Sequence, residues 1–337
     1  MSIGDYIRLD HGSGGKLSHR LIEEIFLPHF LNDSLKKLDD SAVLKIDNKK
    51  FAFTTDSYVI DPIFFPGGSI GKLSICGTIN DLSMSGAVPI YISAGFIIEE
   101  GFDLGKLEEI VISMKETADE AGVEIVTGDT KIVPYGNADK IFINTAGIGI
   151  IPDGVDISSQ NAKPGDKILI NGFLGDHGIA VISQREGLDF QTEIKSDVAP
   201  LNSIIRILIE SEIEIHTLRD PTRGGLATSL NEIADKSNMG IIINEIELPF
   251  RKEVIGACEL LGFDPLYIAN EGKFIAFIPE KDSERALNIV KNQKYGENAR
   301  IIGEVVNDFK KKVILKTKIG GRRIVDMLTG EQLPRIC

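Results

Sequence analysis

The stretch LGKLEEIVISMKETADEAGVEIVT, residues 104–127, combines a helical pattern with an extended one. Its apolar residues recur at the spacing of one helix face, and they are Leu104, Leu107, Ile110, Val111, Met114, Ala118 and Ala121. Gly122 is placed to end this helix, because glycine adopts the left-handed conformation of a helix C-cap at little cost. Residues 123–127 are typical of a strand. The stretch therefore predicts a helix followed directly by a strand.

The same alternation of helical and extended segments continues on both sides. Residues 70–86 carry apolar side chains at helical spacing, and residues 51–55 and 141–151 are typical of strands. Beyond residue 165 we predict helices at 201–210 and 226–234 and strands at 167–170, 241–246, 274–278 and 313–317. This alternation favours an α/β plus α+β protein over a helical bundle or a β-sandwich.

The chain has 337 residues, enough for two domains that each bury a core. Residues 153–165 are rich in Asp, Ser, Asn, Pro and Gly, which is typical of a domain boundary. We therefore predict an N-terminal domain at 1–153 and a C-terminal domain at 154–317. Residues 318–337 predict a mobile tail, whose last 17 or so residues would reach about 50 Å when extended.

Charge and composition exclude several classes of protein. The net charge of -13 opposes binding to nucleic acid. No stretch approaches the roughly 20 apolar residues of a membrane span, and the first ten residues lack the layout of a signal peptide. We expect a cytoplasmic protein without a membrane segment. Cys76, Cys258 and Cys337 lie too far apart to suggest a disulfide framework or a zinc site.

Acidic residues recur after predicted strands and in glycine-rich turns. Two carboxylates about 4 Å apart repel by roughly 4 kcal/mol at an effective dielectric near 20, so a converging group needs cations between its members. Oxygen ligands favour magnesium, which commonly bridges a protein to nucleotide phosphates. For any single aspartate the alternative is a turn or a helix cap. The candidates are Asp39, Asp40, Asp56, Asp81, Asp129 and Asp220.

The segment Gly-Ser-Gly-Gly-Lys at residues 12–16 has the composition of a phosphate-binding loop. Its backbone N–H groups and its lysine suit an anion. It is not a Walker loop, because that pattern requires Gly at the position of Asp10 and Ser or Thr at the position of Leu17. A flexible N-terminal linker remains the alternative.

The three cysteines and one glutamate are the remaining candidates for functional residues. Cys76 and Cys258 fall on apolar stripes, which predicts core positions. Cys337 is the last residue, where a thiol has no packing role and is a liability unless it is used. An incidental terminal residue is the alternative. Glu271 lies in a tight connection between two apolar runs, where a hairpin turn with a solvated carboxylate is the simpler interpretation.

Several motifs together resemble one known family, the HypE hydrogenase maturation proteins. The resemblance covers about His11 to Cys337. Most of the motifs are shared across the aminoimidazole-ribonucleotide synthetase superfamily, whereas the ending Pro-Arg-Ile-Cys is specific to HypE. The motifs are DDSAV at 39–43, TTD at 54–56, NDLSMSGAVP at 80–89, GDTK at 128–131, RDPTRGGLA at 219–227 and LPRIC at 333–337.

The resemblance implies a two-domain fold of the aminoimidazole-ribonucleotide synthetase type, a flexible C-terminal tail, and a homodimer in which the N-terminal sheets of two subunits pair. It implies ATP and Mg²⁺ as cofactors. The implied nucleotide-binding residues are His11, Gly14, Gly15, Lys16, Asp40, Thr55, Asp56, Asp81, Gly128, Asp129, Thr130 and Asp220. The implied magnesium ligands are Asp39, Asp40, Asp56, Asp81, Asp129 and Asp220.

The implied activity is the ATP-dependent dehydration of a carbamoyl group on the thiol of Cys337. HypF would supply the carbamoyl group, and the resulting thiocyanate would deliver cyanide to iron on HypC and HypD for [NiFe] hydrogenase. By motif position we assign Glu271 as the general base and Lys131 as the cation beside the oxygen under attack.

Two alternatives come from different classes of protein. Selenophosphate synthetase or thiamine-phosphate kinase would share the superfamily motifs, but the first normally carries Cys or selenocysteine in its glycine-rich loop, and the second has no use for a terminal thiol. Here that loop contains neither residue. A non-catalytic docking scaffold would use the tail but would leave the aspartates unexplained.

Overall fold

The structure is a computed structural model that describes residues 6–185, 193–330, 333 and 335–337. The first residues of the predicted N-terminal domain and part of the predicted tail lie outside these ranges. The helices of the first half are α1 (Lys16–Leu21), α2 (Leu27–Phe30), α3 (Ile70–Met84) and α4 (Leu104–Ala121). Its strands are β1 (Ala42–Ile46), β2 (Lys49–Tyr58), β3 (Phe64–Phe65), β4 (Gly68–Ser69), β5 (Val88–Glu99), β6 (Glu124–Val133) and β7 (Ile141–Ile151).

A five-stranded sheet in the order β1-β2-β7-β5-β6 forms the frame of this half. Only β5 and β6 run parallel, and α4 makes the crossover between them. The side chain of Asp103 caps α4 by accepting the N–H of Lys106, and Gly122 ends it with φ of 70°. The helix predicted at 104–121 is therefore confirmed, although its buried stripe is narrower than predicted. Leu104 is 80% exposed and Val111 46% exposed.

Helices α3 and α4 cover one face of this sheet, and no helix among the described residues covers the other face. Helix α3 is buried almost all round, because it lies between the sheet and the second half of the chain. Along β2 the side chains of Thr54 and Tyr58 are buried toward α3, whereas those of Phe53 and Thr55 are exposed. This alternation decides which residues of β2 reach the site.

The second half contains a seven-stranded sheet in the order β14-β13-β10-β12-β8-β11-β9. Its strands are β8 (Asp166–Ile170), β9 (Thr217–Arg219), β10 (Gly240–Asn244), β11 (Ile275–Pro279), β12 (Arg300–Val306), β13 (Val313–Lys316) and β14 (Arg322–Val325). Its helices are α5 (Asp176–Ile182), α6 (Asn202–Glu210), α7 (Gly225–Ser237), α8 (Lys252–Leu261) and α9 (Glu280–Lys291).

The sheets and helices confirm the predicted α/β plus α+β class, with one correction at the tail. We predicted that the last strand ends near residue 317, but β14 follows it and pairs antiparallel with β13. The first part of the predicted tail therefore contains a strand that is hydrogen-bonded to β13. The proposed domain boundaries and the mobility of the tail stay predictions. Among the described residues, no helix is long and apolar enough to cross a membrane.

A buried amide joins the two halves next to the site. Asn80 on α3 donates from Nδ2 to the carbonyl oxygens of Ala199 (3.1 Å) and Glu271 (3.4 Å). Its Oδ1 accepts the N–H of Leu201 at 2.8 Å. Because Asp81 follows Asn80 directly, these bonds fix the position of Asp81 relative to the second half.

Candidate active site

A cavity of about 450 Å³ lies between the two halves of the chain. The glycine-rich segment, the end of β2, helix α3 and the loop between β9 and α7 all contribute to its wall. Among the residues predicted from the sequence, it is lined by His11, Gly14, Asp39, Asp40, Asp56, Asp81, Asp220, Glu271 and Cys337.

Three aspartates converge on one side of this cavity. Asp40, Asp81 and Asp220 each offer a carboxylate oxygen, and these oxygens all lie within 4.8 Å of one another. Removal from water raises the pKa of all three, that of Asp220 to about 6, and the neighbouring carboxylate of Asp56 raises the pKa of Asp81 further. Thr54 donates to Asp81 Oδ2 at 2.9 Å and holds it in place. A hard divalent cation fits this donor set, because oxygen ligands and excess negative charge are what it requires.

A buried arginine, which the sequence analysis did not single out, holds this cluster. Arg219 Nη1 lies 2.7 Å from Asp40 Oδ1, and its Nη2 lies 2.6 Å from Glu232 Oε2. Glu232 in turn contacts His19 on α1 at 2.8 Å. Arg219 stands in the quoted RDPTRGGLA motif, but its pairing with Glu232, 13 residues further on, could only be seen in the fold. The ion pairs tie helix α1 to the acidic cluster.

Asp39 lines the cavity, but its carboxylate is not brought into the cluster. It accepts the O–H of Ser158 at 2.7 Å and the N–H of Ser159 at 3.2 Å, both in the segment that connects the two halves. The neighbouring residues Asp39 and Asp40 thus differ in what they do. The geometry supports Asp40 as a metal ligand and gives Asp39 a structural contact.

Glu271 also lines the cavity. The residue is buried, and its Oε1 has no hydrogen-bond partner within the part of the chain that the structure describes. Its backbone N–H donates to Asp197 Oδ1 at 3.2 Å, which fixes the main chain. Burial raises the pKa of Glu271 well above its ordinary value, and the nearby charge of Asp220 adds to the effect. A carboxylate of this kind is suited to accept a proton.

The end of the chain enters the same cavity. The N–H of Val59, just after β2, donates to the main-chain oxygen of Cys337 at 3.1 Å, and the N–H of Asp61 donates to the carbonyl oxygen of Arg335 at 3.2 Å. Cys337 is half-buried there. Its charge raises the pKa of Arg223, whose Nη1 donates to the carbonyl oxygen of Gly12 at 3.0 Å. The sequence analysis assigned no role to Arg223.

Two residues of the glycine-rich segment contact the base of the tail rather than the cavity. Lys16 donates its N–H to the carbonyl oxygen of Leu328 at 2.8 Å. A Cβ added at Gly15 would lie 2.3 Å from that same oxygen, so this approach requires glycine. The structure thus places His11 and Gly14 at the cavity and Gly15 and Lys16 against the tail.

The remaining predicted residues lie on the other face of the N-terminal sheet. Asp129 on β6 is level with Gly95 on β5, Asn144 on β7 and Ser57 on β2, so its side chain shares a face with Ser57 and not with Asp56. Asp129, Gly95, Asn144 and Ser57 line a second cavity of about 420 Å³. Predicted residues on this side of the sheet or its exposed edge are Thr55, Gly128, Asp129, Thr130 and Lys131.

Asp129 and Lys131 form an exposed ion pair, 3.1 Å between Oδ2 and Nζ. Lys131 therefore does not meet Glu271 within the main cavity. Ser57 lines both cavities, and this is where they adjoin.

Comparison with known proteins identifies the group to which this fold and site belong. Family models of AIR synthase related proteins match the chain twice, the N-terminal domain at residues 38–151 and the C-terminal domain at residues 163–316. The chain is a member of the AIR synthase related proteins. It is also 48% identical to carbamoyl dehydratase HypE of Cupriavidus necator, over 98% of this chain and 95% of that protein.

Solved structures agree with this relationship. The HypE–HypF complex contains a chain 50% identical to this one, with a TM-score of 0.87 and coverage of 91% of this chain and 99% of that one. HypE in complex with ATP is 50% identical, with a TM-score of 0.83 and coverage of 98% and 100%. Within the AIR synthase related proteins, the chain belongs to the HypE family.

Proposed function

We propose that this chain is an ATP-dependent carbamoyl dehydratase that acts on its own Cys337. The observation that carries the proposal is that Cys337, Glu271 and the acidic cluster line one cavity. The names of the relatives supply the reaction, and the solved complex of a relative with ATP supplies the nucleotide.

The chemistry of a carbamoyl group on sulfur explains the need for ATP. The oxygen of S–CO–NH₂ is a very poor leaving group, and transfer of the γ-phosphoryl group to it turns it into phosphate. Loss of one N–H proton accompanies formation of the C=N bond, and loss of the second N–H proton with expulsion of phosphate gives S–C≡N. Glu271 is the group that we assign to accept these protons, because its carboxylate is buried, unpartnered and basic for a glutamate.

The acidic cluster is the part of the site that we assign to magnesium. Asp40, Asp81 and Asp220 would hold the ion, with Asp56 nearby. Bound there, Mg²⁺ would neutralise the carboxylates and supply positive charge to the phosphate groups of ATP. Arg219 orients Asp40 through its contact at 2.7 Å.

The second cavity would allow Asp129 and Lys131 to contact a bound nucleotide. Because both cavities are lined by Ser57, a nucleotide that extends across Ser57 would contact the main cavity and this ion pair together. The predicted roles of Thr55, Gly128 and Thr130 in nucleotide binding, and of Lys131 as a cation, depend on this arrangement.

The proposed homodimer uses the uncovered face of the N-terminal sheet. Apolar side chains on this sheet are exposed, which is unusual for a face with no partner. They include Phe53, Tyr91, Ile97 and Ile150. Two such sheets packed face to face would bury these residues. The ion pair of Asp129 and Lys131 would then lie at the interface between subunits.

The partners follow from the same reaction. A relative forms a solved complex with HypF, and we assign HypF as the donor of the carbamoyl group here. HypC and HypD are assigned as the acceptors of cyanide by the family resemblance. Cys337 has to leave the cavity to meet either partner, which the predicted tail mobility would allow. We place the protein in the cytoplasm, where these partners act.

Intact-mass measurement tests the proposal. The purified chain is mixed with HypF, carbamoyl phosphate and ATP, and its mass is followed with time. We expect the mass of one carbamoyl group to appear and one water to be lost afterwards, only with ATP. Cys337→Ala should show neither change, while Cys258→Ala, which removes a buried thiol away from the cavity, should show both. ATP hydrolysis without any nitrile on Cys337 would refute the proposal.

A further inference from the structure

We infer that His177 is a positioning residue that holds the end of the chain in the cavity. His177 lies on α5, is fully buried, and does not line the cavity itself. Its Nε2 lies 2.8 Å from the carbonyl oxygen of Ile336, the residue before Cys337. It therefore has no direct access to the reacting atoms and acts through the main chain of the tail.

The hydrogen bonds around the imidazole fix its tautomer. A carbonyl oxygen only accepts, so Nε2 carries the proton that is donated to Ile336. On the other side, Nδ1 lies 2.8 Å from Ser196 Oγ, which already accepts the N–H of Val198 at 3.1 Å. The Ser196 hydroxyl thus donates its proton to Nδ1. In this series of hydrogen bonds, Ser196 therefore donates to His177, and His177 donates to Ile336.

Packing fixes the orientation of the ring as well. The edge of Phe65 meets the imidazole at a centroid distance of 5.4 Å and an interplanar angle of 89°. Asp197 faces the ring as the nearby charged group, and its own charge is paired with Lys273. Burial lowers the pKa of His177, which keeps the ring in the neutral form that this arrangement requires.

His177 donates a hydrogen bond to the one carbonyl oxygen of residues 335–337 that the segment after β2 does not contact. The carbonyl oxygen of Arg335 and the main-chain oxygen of Cys337 accept the N–H groups of Asp61 and Val59, and Ile336 lies between these two residues. The carbonyl of Ile336 is buried there, and His177 satisfies it. The tail is therefore held from both sides, and the His177 bond secures the residue next to the thiol.

Arg185 contacts the tail one residue further from the thiol than His177 does. Arg185 donates from Nη2 to the carbonyl oxygen of Arg335 at 3.0 Å and from Nε to that of Asp61 at 3.1 Å. Arg185 thus connects the tail to the segment beside it, which contains Asp61. His177 remains the closer contact to Cys337, and we centre the test on it.

The first test needs neither partner nor nucleotide, so it is independent of the proposed function. The full chain is treated with iodoacetamide, and the alkylation rate of Cys337 is followed by peptide mass spectrometry, with alkylation of the buried Cys76 as the control for unfolding. His177→Phe keeps an aromatic ring but removes the donor. Losing one hydrogen bond of ordinary strength shifts the docking equilibrium roughly tenfold, so we expect Cys337 to react about ten times faster.

Two further variants keep the test decisive. His177→Gln retains an N–H donor and should restore a rate near that of the unmodified chain. Ser196→Ala removes the donor that fixes the tautomer and should raise the rate by a smaller factor, and it carries the test if His177→Phe does not fold. An alkylation rate of Cys337 unchanged in Ser196→Ala and in every folded His177 variant overturns the inference.

The second test rests on the proposed function. Under the proposed function, the tail is outside the cavity when Cys337 receives the carbamoyl group and inside it during dehydration. We therefore expect His177→Phe to accept the carbamoyl group from HypF at an unchanged or higher rate and to dehydrate it about tenfold more slowly. Equal losses in both steps would overturn the positioning role. If the alkylation rates shift but the unmodified chain never forms a nitrile, the proposed function fails and the positioning role stands.

Discussion

Lys273 Nζ lies 3.0 Å from Asp197 Oδ2, and both side chains are buried. The other oxygen of Asp197 accepts the backbone N–H of Glu271. The ion pair thus supports the segment that presents the proposed base. We expect Lys273→Met to destabilise the protein by about 3–5 kcal/mol at pH 7, because it leaves a buried carboxylate without its partner. Urea unfolding measures this. Lys281→Met, in an exposed pair with Glu214, should leave stability unchanged.

The same pair gives a pH dependence with a definite sign. Burial alone would raise the pKa of Asp197, but the charge of Lys273 lowers it below its ordinary value. The ionised carboxylate therefore contributes stability above the unfolded pKa of about 3.9, and this contribution is lost as pH falls through the folded pKa. In Lys273→Met burial raises that pKa instead. The stability gap between the two proteins should narrow from pH 7 to pH 4, and a constant gap would contradict this account.

Replacement of Glu271 by Gln tests the base. The amide keeps the shape of the side chain but cannot accept a proton from nitrogen. We expect nucleotide affinity within a few-fold of normal and a loss of dehydration of about 10²–10⁴-fold. Calorimetry measures the first quantity and intact mass the second. Glu253→Gln, at an exposed position on α8, is the matched control. A Glu271→Gln variant that still forms the nitrile at the normal rate would remove Glu271 from the mechanism.

Asp81 and Asp39 should respond differently to the same change. Asp81→Asn removes a charge from the acidic cluster, so we expect magnesium-dependent ATP binding to weaken at least about tenfold. Asp39→Asn should leave it nearly unchanged, because the side chain of Asp39 lies outside the cluster and contacts Ser158 and Ser159 instead. Titrating Mg²⁺ at fixed ATP measures both. Equal losses in the two variants would show that Asp39 is also a ligand.

A charge on the uncovered sheet face should separate the proposed dimer. Ile97 on β5 is 44% exposed and lies in the second cavity. We expect Ile97→Asp to be monomeric in light scattering, since each interface would lose two apolar contacts and gain two desolvated charges. Ile319→Asp, at a position 96% exposed, serves as the control. If the unmodified protein is already a monomer, the sheet face has another role.

Local signals in the sequence were sufficient for most helices and strands. The period of α4 and its end at Gly122 follow from side-chain spacing and from the freedom of glycine at φ of 70°. Strand β5 has no counterpart among the predicted elements, although it lies between β7 and β6 in the sheet. The apolar residues of β5 begin shortly after the end of α3, so the spacing of side chains does not distinguish the strand from the helix before it. Strand β14 was missed because Arg322, Arg323 and their neighbours have the composition of a loop.

The site shows where sequence patterns stop being informative. The motif Thr-Thr-Asp at residues 54–56 places its members on alternate faces of β2, and Asp56 lines the main cavity whereas Thr55 does not. The motif order alone does not reveal which member faces α3. The contacts of Arg219 with Asp40 and Glu232 and of His177 with Ile336 join residues far apart in the chain. Only the fold shows them.

Asn80 has a consequence for exchanging parts between relatives. Its single side-chain amide serves three backbone groups of the other half, at Ala199, Glu271 and Leu201. A chimera assembled from the halves of two family members must reproduce all three positions, or it will strand a buried amide without partners. The two halves can be recognised separately in sequence, yet they are expected to change together in evolution as one inherited unit.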